Sequence, residues 1–399
     1  MNSLLDQLHP YPFEKLNALI KDINPPDDLD LISLALGEPK HRAPDFLIEK
    51  SADISAITKG FGTYPPTKGL PELREAIASF VTRRNNLNRA IDPDTEVLPV
   101  NGTREALFAI AQTAVNSASN QITLMPNPFY QIYEGAAILA GSTPRFVPCT
   151  ESNGFNPDFS DVSDAEWQRC SLIYICTPGN PSGAVMSIAD LQTLIKKSDE
   201  FDFLIASDEC YSEIYASSPP PGLLEAASAM GRDDYKNCIA FNSLSKRSNL
   251  PGLRSGYACG DAAIIEQFLL YRTYHGSAMA VQNQWVSTIA WQDEAHVLSN
   301  RKLYTQKYDV FMDILKDVWP MKRPKASFYL WPKTPIDDVE FTKKLIAYAN
   351  VKVLPGSYLS REVDGNNPGA GHVRLALVAE VEECAEAANR IKAIWHKLQ

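Results

Sequence analysis

The run Ser243-Leu244-Ser245-Lys246 sets two hydroxyls and an amine directly after a short apolar stretch, and Arg254 follows eight residues past the lysine, between Gly252 and Gly256. A lone lysine is ordinarily a solvated surface charge. One that emerges from an apolar run into a Ser-rich turn is stripped of hydration, which lowers its pKa and suits it to forming a Schiff base. A second cluster, Asp208-Glu209-Cys210-Tyr211, follows the apolar run 203–206. A carboxylate there loses solvation unless a donor or cation meets it, so Asp208 either has a partner in a site or caps the next element. In Asn101-Gly102-Thr103-Arg104 a glycine and a hydroxyl open a helix candidate. Backbone N–H groups in that arrangement bind phosphate, and Thr103 serves equally well as an ordinary N-cap. The fourth cluster, Thr177-Pro178-Gly179-Asn180-Pro181-Ser182-Gly183, reads first as a turn, with Asn180 able to aim an amide at a ring hydroxyl.

These clusters need a frame that brings them together. The short apolar runs 122–125, 172–176, 203–206 and 239–241 alternate with helix candidates such as 105–115 and 188–200. That alternation predicts an α/β fold with a mainly parallel central sheet flanked by helices. Ligands of such sheets gather beyond the carboxyl ends of the strands, which places the chemistry in 126–133, 177–183, 207–211 and 242–246. After residue 291 the pattern changes to a long helical stretch, strand candidates at 328–331, 351–354 and 373–377, and an amphipathic helix over 381–398, predicting a smaller α+β unit. The Pro-rich opening, with Pro25, Pro26 and Pro39, reads as an extended arm, because proline and the residue before it resist helical geometry. No internal repeat is present, and the Pro-rich run 217–221 is a loop.

Length and composition bound the alternatives. A chain of 399 residues, 45% hydrophobic and 22% charged, can bury more than one core and has no uncharged apolar stretch long enough to span a bilayer. The net charge of −10 disfavours nucleic acid and anionic membranes as partners, so any anion must meet a local group of donors. Seven cysteines without a C-x-x-C pair suit neither a zinc site nor a disulfide framework. No metal is expected, and the thiols read as free and buried in a reducing compartment. Residues 1–13 lack a basic segment followed by an apolar core, so the expectation is a cytoplasmic protein.

With its S-x-S-K-x₇-R-x-G cluster, the chain resembles the class I/II aminotransferases, fold-type I enzymes that use pyridoxal 5'-phosphate. The resemblance runs from Ala35-Leu36-Gly37-Glu38-Pro39 through Tyr64-Pro65-Pro66-Thr67-Lys68-Gly69 to His372-Val373-Arg374-Leu375. It implies an arm and part of the small domain in 1–45, a large cofactor-binding domain in 46–290 and a small domain in 291–399. Lys246 would be the Schiff-base lysine of a ping-pong transamination and the base that moves the Cα proton. Asp208 would keep the pyridine nitrogen protonated. Asn180 and Tyr211 would bond the ring 3-oxygen, and Tyr130 would stack on the ring, with Phe129 as the alternative. Gly102, Thr103, Arg104, Ser243, Ser245 and Arg254 would form the phosphate cup, joined by Tyr64 from the second subunit of a homodimer. Arg374 would grip the substrate α-carboxylate, helped by the Gly37 backbone and with Asn180 nearby. One departure stands out: the family's Asn-Pro-x-Asn-Pro-Thr-Gly begins here with Thr177, which keeps Asn180 and loses the first Asn.

Within the family, 101–108 (NGTREALF), 127–136 (NPFYQIYEGA) and 243–256 (SLSKRSNLPGLRSG) are most similar to bacterial succinyldiaminopimelate aminotransferases of lysine biosynthesis. The implied partners are a small amino donor and the 2-oxoglutarate/glutamate pair. Arg272, Lys15 and Arg42 are the candidate cations for the far end of such a substrate, and residues 9–13, with Tyr11 and Phe13, are the arm that would fold over it. Alternatives on the same scaffold are aspartate, aromatic or acetylornithine-like aminotransferases, a C–S lyase and, more remotely, a non-catalytic cofactor-binding regulator.

Overall fold

A computed structural model describes all 399 residues. Its centre is a seven-stranded sheet formed by β1 (Val97–Val100), β2 (Ile122–Asn127), β3 (Thr143–Pro148), β4 (Cys170–Cys176), β5 (Leu204–Asp208), β6 (Cys238–Ser243) and β7 (Gly256–Gly260). The spatial order is β1-β7-β6-β5-β4-β2-β3, and only β7 runs antiparallel to its neighbours. Side chains alternate between two apolar layers, as the period of two of a strand requires. In β4, Leu172 and Tyr174 enter one layer while Ile173 and Ile175 enter the other. Both faces are therefore covered, which is why the inner strands read as unbroken apolar runs.

Three strands escaped the sequence reading for identifiable reasons. The strands β1 (VLPV) and β3 (TPRFVP) lie at the two edges of the sheet, where proline is tolerated and the apolar signal is diluted. The strand β7 (GYACG) has two glycines and no β-branched residue. The four predicted inner strands each extend by one to three residues beyond the apolar run, and the helices 105–115 and 188–200 appear as Thr103–Ala114 and Ile188–Phe201.

The C-terminal region packs around its own core. The long helix Ala295–Leu315 and the helix Val381–Ile394 cover short strands at Tyr329–Leu330, Leu354–Pro355 and Val373–Ala376. The predicted strand 351–354 divides in two, because Val351–Lys352 pairs in parallel with Ile32–Ser33 while Leu354–Pro355 pairs with Val373 and Arg374. Residues just after the N-terminal arm thus share the C-terminal core. The arm itself is not extended throughout: Pro12–Ile20 is an α-helix. Pro12 occupies its first turn, where the missing N–H has no partner to lose, and Glu14 accepts from the Tyr11 N–H at 3.3 Å. No helix is long and apolar enough to cross a membrane. All seven cysteines are free, and all but Cys176 are buried.

Candidate active site

The predicted strand ends converge on a cavity of ≈ 430 Å³ between the sheet and the C-terminal region. Gly37, Thr103, Arg104, Tyr130, Asn180, Asp208, Tyr211, Ser243, Ser245, Lys246, Arg254 and Arg374 all line it. Gly102 lies just behind the wall. Tyr64 lies elsewhere, 98% exposed on the surface of this single chain.

Asp208 closes β5, and Lys246 sits one turn beyond the end of the adjacent β6, in the short helix Leu244–Arg247. Parallel strands in register bring the two groups to the same end of the sheet. Burial pushes the Asp208 carboxyl above its ordinary pKa. Its bonds pull the other way: the Tyr133 hydroxyl donates to Oδ2 at 2.7 Å and the Cys210 N–H donates to Oδ1 at 3.3 Å. Tyr133 is itself held face to face with Tyr174 at 4.6 Å. The Lys246 amine donates to the Gly37 carbonyl at 2.5 Å and lies 5.3 Å from the Phe328 ring centre. Burial lowers its pKa to about 8, so the neutral nucleophile is far more populated near physiological pH than on an exposed lysine, although the protonated form still predominates.

An anion cradle forms where the 101–104 loop meets Arg254. The guanidinium packs under Gly102 so closely that an added Cβ would stand 2.2 Å from Nη2, and φ of +80° at Gly102 also favours glycine. Arg254 is oriented by donating to the Pro251 and Asn101 carbonyls, at 2.8 and 3.3 Å. The helix Thr103–Ala114 starts at this point, and the Thr103 hydroxyl, 3.1 Å from the Cys210 thiol, makes no capping bond. Its backbone N–H groups are thereby left for a ligand.

Arg374 approaches from the C-terminal region. It donates to Asn180 Oδ1 at 2.9 Å and to the Ala35 carbonyl at 2.7 Å, and its guanidinium lies 4.6 Å from the centre of the Tyr329 ring. The Tyr329 hydroxyl shares a 3.0 Å hydrogen bond with Tyr211 and abuts Gly37, where a Cβ would lie 2.2 Å away. Between the two stacking candidates the structure discriminates: Tyr130 faces the cavity and accepts from Arg104 Nε at 2.9 Å, whereas Phe129 is fully buried against Phe146. Tyr11 and Phe13 of the arm also line the cavity, beside Arg104 and Arg374 respectively.

The three suggested far-end cations lie outside the cavity. Arg272 is fully buried and bonded to both Glu105 oxygens at 2.6 Å and to the Ser277 carbonyl at 2.9 Å. Since Glu105 also accepts from the Asn101 N–H at 2.8 Å, Arg272 braces the anion loop from behind. Arg42 pairs with Asp45 on the surface, and Lys15 packs over Tyr358. Conversely, the sequence reading passed over Tyr133, Tyr329 and Cys210. A tyrosine inside an otherwise apolar segment was the available signal, because its buried hydroxyl needs a partner. No group of three or more His, Cys, Asp or Glu side chains is placed to hold a metal.

The family model for aminotransferase class I and II matches residues 30–391. The chain belongs to this family. A crystal structure of an aminotransferase from Neisseria meningitidis superposes with a TM-score of 0.94 and is 45% identical, covering 99% of this chain and 100% of that one. An LL-diaminopimelate aminotransferase from Desulforudis audaxviator is 30% identical over 96% of this chain and 95% of its own length. An aspartate aminotransferase from Pyrococcus abyssi is 28% identical over 99% of this chain and 98% of its own. The aminotransferase is thus a transaminase that uses pyridoxal 5'-phosphate. The residues present fit that cofactor: an amine of lowered basicity, a buried carboxyl and an anion cradle open onto one cavity.

Two outcomes are expected for the aminotransferase. Cofactor capture by the cofactor-free protein should rise with pH through a midpoint near 8, because the Lys246 amine turns nucleophilic as it loses its proton there. Stopped-flow absorbance across pH 6 to 11 measures this, and a midpoint near the ordinary lysine value of about 10.4 would contradict it. The replacement Glu105→Ala leaves the Arg272 guanidinium buried and unpaired, which should lower unfolding free energy by about 3 kcal/mol in urea titration. A loss below about 1 kcal/mol would show that Arg272 finds other support.

Proposed function

We propose that this aminotransferase moves an α-amino group from N-succinyl-LL-2,6-diaminopimelate to 2-oxoglutarate, a step of bacterial lysine biosynthesis. The observation that carries the substrate class is the recurrence of LL-diaminopimelate aminotransferases among the curated relatives across nearly the whole chain. The cavity is compatible with it. Arg374, steadied by Asn180 and Tyr329, binds the α-carboxylate common to both substrates as a bidentate fork. Of the three cavity arginines, Arg104 alone is bonded neither to a backbone carbonyl nor to a side-chain amide, so in place of the phosphate role that the resemblance implies for it we assign its charge to the distal carboxylates. Tyr11 and Phe13 flank these two arginines and enclose a long substrate between them.

When bound, pyridoxal phosphate supplies an electron sink that stabilises a carbanion at the substrate Cα. The chain's residues do the rest. Lys246 holds the cofactor and moves the proton at Cα, in reach because its amine is desolvated and aimed into the cavity. Asp208, fixed by Tyr133, would keep the pyridine nitrogen protonated, and Asn180 and Tyr211 would bond the 3-oxygen. Tyr130 would stack on the ring, while Gly102, Thr103, Ser243, Ser245 and Arg254 would receive the phosphate. Residues 46–290 carry the cofactor, and 291–399 with part of 1–45 supply Arg374 and Phe13 to the substrate grip that Asn180 and Arg104 complete from 46–290.

Steady-state kcat/KM with 2-oxoglutarate as acceptor tests the substrate. Succinyldiaminopimelate should exceed aspartate and phenylalanine by at least about a hundredfold, since donors without distal carboxylates leave the site's cations unpaired. Arg104→Gln should narrow that ratio while leaving the reaction of short donors near wild type. Equal or better activity on aspartate, the substrate named for the Pyrococcus relative, would contradict the substrate assignment and leave the family untouched.

We also propose a homodimer with shared sites. Tyr64 is 98% exposed, and in the preceding helix Ile54–Phe61 both Phe61 at 77% and Ile54 at 78% are large apolar groups that one chain alone leaves in water. Tyr64 completes the phosphate cup of the partner. Sedimentation equilibrium should give a dimer at assay concentrations, and Tyr64→Phe should weaken cofactor retention; a fully active monomer would contradict both.

A further inference from the structure

The backbone of Lys246 is gripped from the same strap that receives its amine. Lys246 and Arg247 end the short helix Leu244–Arg247, so their carbonyls have no acceptor role within it. The Asn300 amide nitrogen, on the helix Ala295–Leu315, donates to both carbonyls, at 3.2 and 3.3 Å. Two carbonyls on one nitrogen settle which way the Asn300 amide faces. Its Oδ1 is turned to His41 Nδ1 at 2.8 Å, and an amide oxygen only accepts, so His41 carries its proton on Nδ1. His41 is buried, its ring lies against Tyr304 at 4.8 Å, and its Nε2 has no partner, so the imidazole has this one polar bond to make.

His41 stands four residues after Gly37, whose carbonyl accepts from the Lys246 amine. The segment 37–41 therefore meets Lys246 at both ends, directly at Nζ and through Asn300 at the carbonyl. The next residue is anchored independently, since Arg247 donates to the Ala290 and Asp293 carbonyls at 2.7 and 3.1 Å. Asn300 is thus the one side chain that ties the carbonyl of Lys246 itself to the helix Ala295–Leu315.

We propose that Asn300, oriented by His41, is a positioning residue that holds the Lys246 turn so that the amine stays desolvated and aimed at the cofactor. The inference rests on the role proposed above for Lys246. Releasing the turn admits water to a nitrogen whose low basicity comes mainly from burial, so the basicity should rise.

The test is the pH dependence of cofactor capture by the cofactor-free protein, which reads the Lys246 amine itself, alongside kcat and KM for glutamate in the holoenzyme. Asn300→Ala and His41→Phe should each raise the titration midpoint by at least about half a unit and lower kcat about fivefold or more, with KM within about twofold. His41→Asn, whose Nδ2 stands where Nδ1 does and can still donate to Asn300 Oδ1, should keep most of the wild-type behaviour. In the double variant His41→Phe should add little to Asn300→Ala, because the two act as one chain. Should Asn300→Ala fail to fold, Asn300→Ser and His41→Phe are read in the same way. Unmoved midpoints in folded variants, or fully additive effects on kcat, would overturn the inference. Wild-type holoenzyme whose cofactor is not attached to Lys246 would instead overturn the functional reading on which it rests.

Discussion

An amine and a carboxylate must both be kept out of water at the carboxyl ends of two adjacent parallel strands, and much of the structure around the cavity answers to that demand. Neither charge is cheap to bury alone. Asp208 is offset by the Tyr133 hydroxyl and the Cys210 N–H, and Lys246 by the Gly37 carbonyl and by giving up part of its basicity. The two groups are not paired directly with each other. A direct ion pair would tie the two groups to each other, whereas separate support leaves an amine and a carboxyl facing one space.

The rest of the fold supplies what those two groups cannot. Two-sided burial of the sheet sets strand register and brings β5 and β6 to the same edge, so the spacing of Asp208 and Lys246 follows from backbone hydrogen bonds. The N-terminal segment reaches the cavity only because Ile32–Ser33 is paired with Val351–Lys352 in the C-terminal core, which carries Gly37 and His41 to the lysine. Arg374 arrives from the same core through pairing of Val373–Ala376 with its neighbours. Arg374 and the support of the lysine therefore share one structural unit.

The strand ends that carry the chemistry were legible because each combines a short apolar run with polar residues directly after it, a signal local in sequence. Every cavity-lining residue picked out there, from Thr103 to Arg374, is brought to one place. What stayed hidden depends on contacts far apart in the chain. Tyr133 meets Asp208, Tyr329 meets Tyr211, and Asn300 meets both His41 and Lys246, none of which spacing along a helix or strand can announce. Arg272 shows the converse error: a cation read as a candidate for substrate proves to be consumed by Glu105 within the scaffold. Charge type is visible in sequence, and whether the charge is already spent is visible only in three dimensions.

The role proposed for the desolvated Lys246 amine, holding the cofactor, is read out by borohydride reduction of the holoenzyme followed by proteolysis and peptide mass mapping. A single pyridoxyl-modified peptide is expected, with the modification on Lys246. Modification at another lysine, or reduction that leaves Lys246 unmodified while the cofactor remains bound, would contradict it.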